Sequence, residues 1–156
     1  MAYKKAIIAI PNVNGNIVVN VTTQGSVHNL FDVTNSVLNS RIGATGDVKS
    51  AGDHAGMIVT NEINCDGLDR IDLSGIPFVF DTSLSYYMRI SIYDASHSTL
   101  TSVNSTDNPP PETAFYNVAG ARAAHPTVKY VRFGIGVKNG TSITADDVAN
   151  LMIIGS

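Results

Sequence analysis

The chain has 156 residues, a length typical of one domain, and its 10 basic and 13 acidic side chains give a net charge of −3. A negative net charge argues against non-specific binding to nucleic acid or to an anionic membrane, because both need a positive protein surface. Hydrophobic residues make up 44% of the chain and charged residues 15%, which is the balance of a folded protein.

The pattern along the chain predicts an all-β protein. Gly, Asn, Ser and Thr recur between short β-branched runs, which is typical of strands joined by turns. The candidate strands are, in chain order, Tyr3–Ile10, Asn16–Thr23, Met57–Ile63, Asp69–Leu73, Tyr86–Tyr93, Phe115–Val118, Val128–Val137 and Leu151–Ile154. No 12-residue segment has sustained helical periodicity. The best helix is a single turn over Ala145-Asp146-Asp147, which Thr144 can cap.

Residues 1–24 are predicted to form an N-terminal hairpin or attachment arm, separate from a main domain of residues 25–156. Two strand-like runs flank Pro11–Gly15, in which Asn14-Gly15 is a strong turn dipeptide. A lone hairpin is marginally stable in water. We therefore expect the arm to dock on the main domain or to pair with another chain.

The two clearest strands, Tyr86–Tyr93 and Val128–Val137, each alternate between an aliphatic face and a mixed polar face. Tyr86 falls on the aliphatic face of the first strand in this pattern. The mixed faces contain Tyr87, Arg89 and Tyr93 on the first strand, and Tyr130 and Arg132 on the second. Such strands favour an antiparallel β-sandwich, with one face in the core and the other toward solvent or a ligand.

These five tyrosine and arginine side chains are the candidate glycan-binding residues. A sugar needs an aromatic plane for its C–H face and planar polar groups for its hydroxyls. Tyrosine supplies a rigid amphipathic ring, and arginine supplies a fork of donors. If the two strands lie in one sheet, the side chains share a patch. The alternative is that they cover sheet edges or form an oligomer interface.

The sequence predicts no enzyme, no catalytic residue, no cofactor and no metal site. The signatures G-x-S-x-G, H-E-x-x-H, the P-loop and G-x-G-x-x-G do not occur. The adjacent Asp53-His54 could orient an imidazole, but no nucleophile in a recognised turn accompanies it. Asp146 and Asp147 could contribute to a calcium site, although helix capping explains them more simply. Cys65 is the one cysteine and is expected to be a buried apolar residue.

Several short motifs follow one another in a particular order: Asn29-Leu30-Phe31-Asp32, Met57–Ile63, Cys65-Asp66-Gly67, Ile71–Gly75, Arg89–Asp94 and Val128–Phe133. This series resembles a module in tail-fibre, baseplate and receptor-binding proteins of phages of Gram-positive bacteria. In that module an NLF entry precedes a YD strand end and an A-x-YIR strand, for which this chain has Thr127–Arg132. The opening Ile10–Val19 also resembles a hairpin that often precedes the module.

The resemblance implies a carbohydrate-binding β-sandwich of jelly-roll type. The expected function is that of a phage virion accessory protein, at the tail, baseplate or capsid, that binds host cell-surface carbohydrate. The resemblance also implies contacts with other virion proteins and a homo-oligomer, with a trimer favoured, and neither nucleic-acid binding nor membrane insertion is expected. One alternative is a purely structural protein that decorates or cements the virion without a sugar site. Another is an accessory domain of an esterase or glycan hydrolase.

Overall fold

The computed structural model describes residues 8–11, 17–20, 28–50 and 52–156. Strands β1 (Ile8–Pro11) and β2 (Ile17–Asn20) pair antiparallel within the region predicted as the N-terminal hairpin. The rest of the predicted arm, including the boundary between residues 24 and 25, lies outside the described residues.

Nine further strands and three short helical segments follow in the described part of the chain. The strands are β3 (Val37–Leu38), β4 (Met57–Val59), β5 (Ile63–Asn64), β6 (Arg70–Ser74), β7 (Met88–Tyr93), β8 (Thr99–Ser105), β9 (Ala114–Asn117), β10 (Tyr130–Gly136) and β11 (Met152–Gly155). The helical segments are α1 (Val118–Ala124) and two 3-10 helices, Val33–Asn35 and Asp146–Val148. No helix in these ranges is long and apolar enough to cross a membrane.

The strands after β2 form two antiparallel sheets that pack face to face. The larger sheet has the order β3-β4-β10-β7-β8, with β5 also paired to β10, and the smaller has the order β11-β6-β9. Aliphatic side chains from both inner faces form one core, and the rings of Tyr116 and Phe133 pack nearly perpendicular across it, with their centroids 6.1 Å apart. This confirms the all-β class and the antiparallel β-sandwich, while the jelly-roll connectivity stays a prediction.

Strand β10 has the alternation that the sequence indicates. Val131, Phe133 and Ile135 are fully buried in the core. A side chain at Gly136 would collide with the backbone carbonyl of Val79, which explains a glycine inside a central strand.

Four elements were not predicted from the sequence: the 3-10 helix Val33–Asn35, strand β3, strand β8 and helix α1. Strand β8 is rich in Ser and Thr and lacks a clear alternation of apolar and polar residues. Helix α1 has seven residues, too few to display a helical period, and it begins where the Asn117 side chain accepts a 2.8 Å hydrogen bond from the Gly120 amide. The predicted strand Phe115–Val118 therefore ends one residue earlier, at that cap.

The turn predicted near the C-terminus forms as the 3-10 helix Asp146–Val148. The prediction made the Thr144 side chain the capping acceptor, but in the structure Thr144 donates. The Asp147 carboxylate accepts from the backbone amide of Thr144 at 2.8 Å and from its hydroxyl at 3.2 Å. Thr144 is therefore the donor, and the carboxylate lies at the positive helix end, where it is stabilised.

Candidate functional site

The two mixed strand faces lie side by side. Strands β7 and β10 are neighbours in the larger sheet, and Tyr93 lies opposite Tyr130, with Ser91 opposite Arg132. The condition set in the sequence analysis, that both strands lie in one sheet, is thus met. Because directly opposed residues project to the same side, Arg89, Tyr93, Tyr130 and Arg132 share the side away from the core.

Tyr87 does not share that side, which corrects the predicted alternation. Its side chain is 3% exposed and packs in the core, with its ring centroid 5.8 Å from that of Phe78. Tyr86 instead lies beneath the guanidinium of Arg89, 4.9 Å from its ring centroid. Regular pairing in β7 begins at Met88, and the residues before it follow Ser85, whose φ is 60°, so strand alternation does not extend back to Tyr87.

A loop of residues 41–49, here called the covering loop, crosses the mixed face. The Tyr93 side chain is 4% exposed, and its hydroxyl donates a 2.6 Å hydrogen bond to the Gly46 carbonyl. Arg89 donates to the Ile42 carbonyl at 3.2 Å and to the side-chain oxygen of Asn104 at 2.6 Å. The Ile42 side chain is fully buried. Arg89 and Tyr93 therefore hold the covering loop against the sheet.

Tyr130 and Arg132 belong to a small polar cluster beside the covering loop. The ring of His97 stacks on Tyr130 with a centroid distance of 4.8 Å and an interplanar angle of 6°. Glu62 lies 2.7 Å from His97 Nδ1 and 3.5 Å from Arg132 Nη2. One face of the Tyr130 ring is thus occupied by His97. Glycan contact at the five predicted residues stays a prediction.

The smaller sheet presents a different combination of aromatic and planar polar groups. Its side away from the core, here called the outer face, contains Arg70, Asp72, Phe115 and Asn117. Asp72 lies opposite Phe115, and Arg70 lies opposite Asn117, in adjacent antiparallel strands. The Phe115 side chain is 58% exposed, and the Arg70 guanidinium lies 4.2 Å from its ring centroid. A large apolar ring is therefore open to solvent beside a cation.

A fork of hydrogen bonds fixes the guanidinium on the outer face. Arg70 Nε and Nη2 donate to Asp72 Oδ1 at 2.8 and 2.6 Å, and Nε also reaches Oδ2 at 3.0 Å. The hydrogen bond that Arg70 donates to the Asp72 carboxylate raises the pKa of Arg70 above its usual value. Arg70 Nη1 donates to no residue in the described ranges. Both residues therefore retain hydrogen-bonding capacity toward a ligand.

Sequence reasoning placed Phe115 in a strand but did not identify it as a surface residue. Strand β9 has only four residues, and both Phe115 and Tyr116 are aromatic, so alternation alone cannot tell which one faces the core. The pairing of β9 with β6 decides it. Tyr116 lies opposite the buried Ile71 and therefore faces the core, whereas Phe115 lies opposite Asp72 and faces away from the core.

A cleft of about 540 Å³ lies between the loops that precede β4 and β7 and the loop that follows β10. It is lined by His54, Ala55, Asp81, Thr82, Ser83, Asn139 and Gly140. His54 Nε2 contacts the Asp81 carboxylate, so the partner of this imidazole is Asp81 and not the adjacent Asp53. The Ser83 hydroxyl donates to Asp81 at 2.6 Å. Among the described residues, no hydroxyl group is hydrogen-bonded to the His54 ring.

The Asp81 carboxylate is held in its charged form. Burial alone would raise its pKa, but hydrogen bonds from Ser83 and His54, together with the Leu84 amide, outweigh burial. The pKa of Asp81 therefore lies below its usual range. This carboxylate organises the turn beneath the cleft.

Within the described ranges, no three His, Cys, Asp or Glu side chains are grouped as metal ligands. Asp147 contacts Lys138 Nζ at 2.6 Å, and this hydrogen bond lowers the pKa of Asp147. Cys65 is buried, as expected, and burial raises the pKa of its thiol to about 11.

Comparisons with protein-family models, curated proteins and solved structures found no match.

Proposed function

We propose that the protein is a phage virion accessory protein that binds host cell-surface glycan through the outer face of its smaller sheet. The observation that carries this proposal is the exposed Phe115 ring with the Arg70 guanidinium beside it. The virion role rests on the ordered motifs described above, and the place of the site rests on the side-chain chemistry of the outer face.

The outer face offers the two kinds of contact that a sugar ring needs. The open part of the Phe115 ring can pack against the C–H face of a sugar. Arg70 Nη1 can donate to a sugar hydroxyl or ring oxygen, and the Asp72 carboxylate can accept from a hydroxyl. Asn117 lies opposite Arg70 and is exposed at the same side of the sheet.

The side chains of the outer face are also held in place without a ligand. Phe115 and Asp72 are opposed residues of two paired strands, and Arg70 is fastened to Asp72 by three hydrogen-bond contacts. Ordering a flexible side chain on binding costs roughly 0.5–1.5 kcal/mol, so side chains that are already ordered favour affinity.

Binding to an array of bacterial surface polysaccharides tests the proposal. We expect the wild-type protein to bind and Phe115→Ala to bind about 30-fold more weakly, the effect of a central aromatic contact worth ~2 kcal/mol. Arg70→Ala is expected to weaken binding as well. The matched control is Tyr130→Ala, which removes a ring whose face is already occupied by His97 and should leave binding unchanged.

The other outcomes identify the alternatives. If Tyr130→Ala weakens binding and Phe115→Ala does not, the glycan contacts the mixed face and the assignment to the outer face is wrong. If the wild-type protein binds no glycan on the array and none on host cell walls, the glycan-binding proposal is overturned. Density for the chain in purified particles would then support the purely structural role.

A further inference from the structure

Strand β8 is the outermost strand of the larger sheet in the described part of the chain. It pairs with β7 on one side, and no other strand in the described ranges pairs with its second side. None of its seven residues is fully buried, and no described segment forms a backbone hydrogen bond with its second side. A strand in this position presents a row of unpaired backbone amides and carbonyls.

The composition of β8 does nothing to block that edge. Its residues are Thr99, Leu100, Thr101, Ser102, Val103, Asn104 and Ser105. Natural proteins protect an open edge with a charged residue, a proline or a very short strand, and β8 has none of these. The other edge strands of the two sheets are shorter, with two residues in β3 and four in each of β9 and β11.

Val103 is the most informative residue of the edge. It lies opposite Ile90, a residue of the core cluster, so it continues the aliphatic inner face of the larger sheet. Its side chain is nevertheless 47% exposed, because the sheet ends there. A further strand beside β8 would bury it and extend the core by one row.

We propose that β8 pairs antiparallel with β8 of a second copy of this chain, and that the two-fold axis passes at Val103. The register between β7 and β8 shifts near Ile92 and Tyr93, so the regular part of β8 is Thr101–Ser105, and Val103 is its centre. The pairing joins two larger sheets into one continuous sheet and buries Val103 against its equivalent.

The absence of charge in β8 favours a second copy as the partner. In a two-fold pairing each residue lies opposite a residue of the same strand, so any charged side chain near the axis would meet its own charge. Centred on Val103, the pairing places Thr101 opposite Ser105 and Ser102 opposite Asn104. These hydroxyl and amide pairs carry no repulsion and contribute cross-strand hydrogen bonds.

The inference is independent of the glycan proposal, since β8 belongs to the larger sheet and the outer face to the smaller. It also differs from the trimer that the resemblance implies, because strand pairing across a two-fold axis gives a dimer. Molar mass in solution separates the two arrangements.

The test is size-exclusion chromatography with light scattering on the full-length protein. We expect a species of twice the 16.5 kDa chain mass and a monomer for Val103→Lys, which places two ammonium groups opposite each other at the axis. The matched control, Val103→Thr, keeps a β-branched, uncharged side chain and should remain a dimer. Circular dichroism melts of the three proteins verify that each is folded.

A monomeric wild-type protein, a trimer, or a dimer that Val103→Lys leaves intact would overturn the proposal. A second measurement needs no substitution, so misfolding of a variant cannot obscure the result. Hydrogen exchange of the β8 amides of the wild-type protein is expected to slow as protein concentration rises. Exchange in β8 that does not depend on concentration would contradict the pairing.

Discussion

The hydroxyl of Tyr93 donates a 2.6 Å hydrogen bond to the backbone carbonyl of Gly46, 47 residues earlier in the chain. The bond lies beneath the covering loop, where the Tyr93 side chain is almost fully buried. Together with the hydrogen bond from Arg89 to the Ile42 carbonyl, it fastens the loop across the polar side of the larger sheet. Polar residues on that side therefore stabilise the fold.

Tyr93→Phe is expected to lower the free energy of unfolding by about 1–3 kcal/mol, because it leaves a buried carbonyl without its donor. Chemical denaturation measures the loss. The matched control is Tyr130→Phe, since the Tyr130 hydroxyl makes no hydrogen bond to any described residue and its removal should be close to neutral. Equal effects of the two substitutions would contradict the role of the Tyr93 bond.

Tyr87→Ala is expected to destabilise the protein by about 3–5 kcal/mol, the usual cost of deleting a large core aromatic. Phe115→Ala removes an aromatic ring that is mostly exposed, and surface substitutions usually stay within about 0.5 kcal/mol. Urea denaturation of both variants compares them directly. A Tyr87 variant as stable as the wild-type protein would place that ring at the surface, where the sequence pattern expected it.

Much of the fold could be predicted from the sequence, because a long strand shows the alternation of apolar and polar residues within its own segment. In β10, seven residues alternate between aliphatic and polar or glycine, and the structure buries Val131, Phe133 and Ile135 as that pattern requires. Tyr87 lies before the first regular pair of β7, in a stretch where the strand period does not apply. The alternation of apolar and polar residues does not show where the regular strand begins, so nothing in the sequence indicates that Tyr87 lies outside it.

The candidate site was less predictable, because it depends on pairing between distant segments. Phe115 and Arg70 lie 45 positions apart and meet only because β9 pairs with β6. Sequence reasoning identified the needed chemistry, an aromatic ring beside an arginine. It located that chemistry on the longest alternating strands, whose polar side the covering loop occupies.

Asn39 supports a third prediction, since it joins segments that lie far apart in the chain. Its side chain accepts from the Ile143 amide at 2.7 Å and donates to the Ile143 carbonyl at 3.0 Å, and its φ is 54°. Asn39→Ala loses both hydrogen bonds and places an alanine in the left-handed region, so we expect a loss of roughly 2–4 kcal/mol.

Asn39→Gly is the matched control for the backbone, because glycine adopts a positive φ readily. The glycine variant should lose the two hydrogen bonds without backbone strain. It should therefore be more stable than Asn39→Ala by about 1 kcal/mol. Thermal melts followed by circular dichroism give the order. An alanine variant that is more stable than the glycine variant would show that the left-handed conformation of Asn39 does not matter for stability.

The carboxylate of Asp81 makes stability depend on pH. Its pKa is lowered in the folded protein, since hydrogen bonds from Ser83 and His54 outweigh the effect of burial. A lowered pKa stabilises the folded state at pH values above the unfolded pKa of ~3.9, and this contribution is lost as the pH falls through the folded pKa. We therefore expect Asp81→Asn to be destabilising at pH 7 and the difference from the wild-type protein to shrink below about pH 4.

Urea denaturation of both proteins between neutral and acidic pH measures that difference directly, and effects common to both proteins cancel. Asp53→Asn is the matched control, because the exposed Asp53 side chain makes no hydrogen bond to a described residue and its substitution should have little effect on stability. A stability gap for Asp81→Asn that stays constant from pH 7 to about pH 3 would mean that the folded state does not favour the charged carboxylate. The turn beneath the cleft would then depend on the shape of residue 81 alone, since asparagine can still accept a hydrogen bond from Ser83.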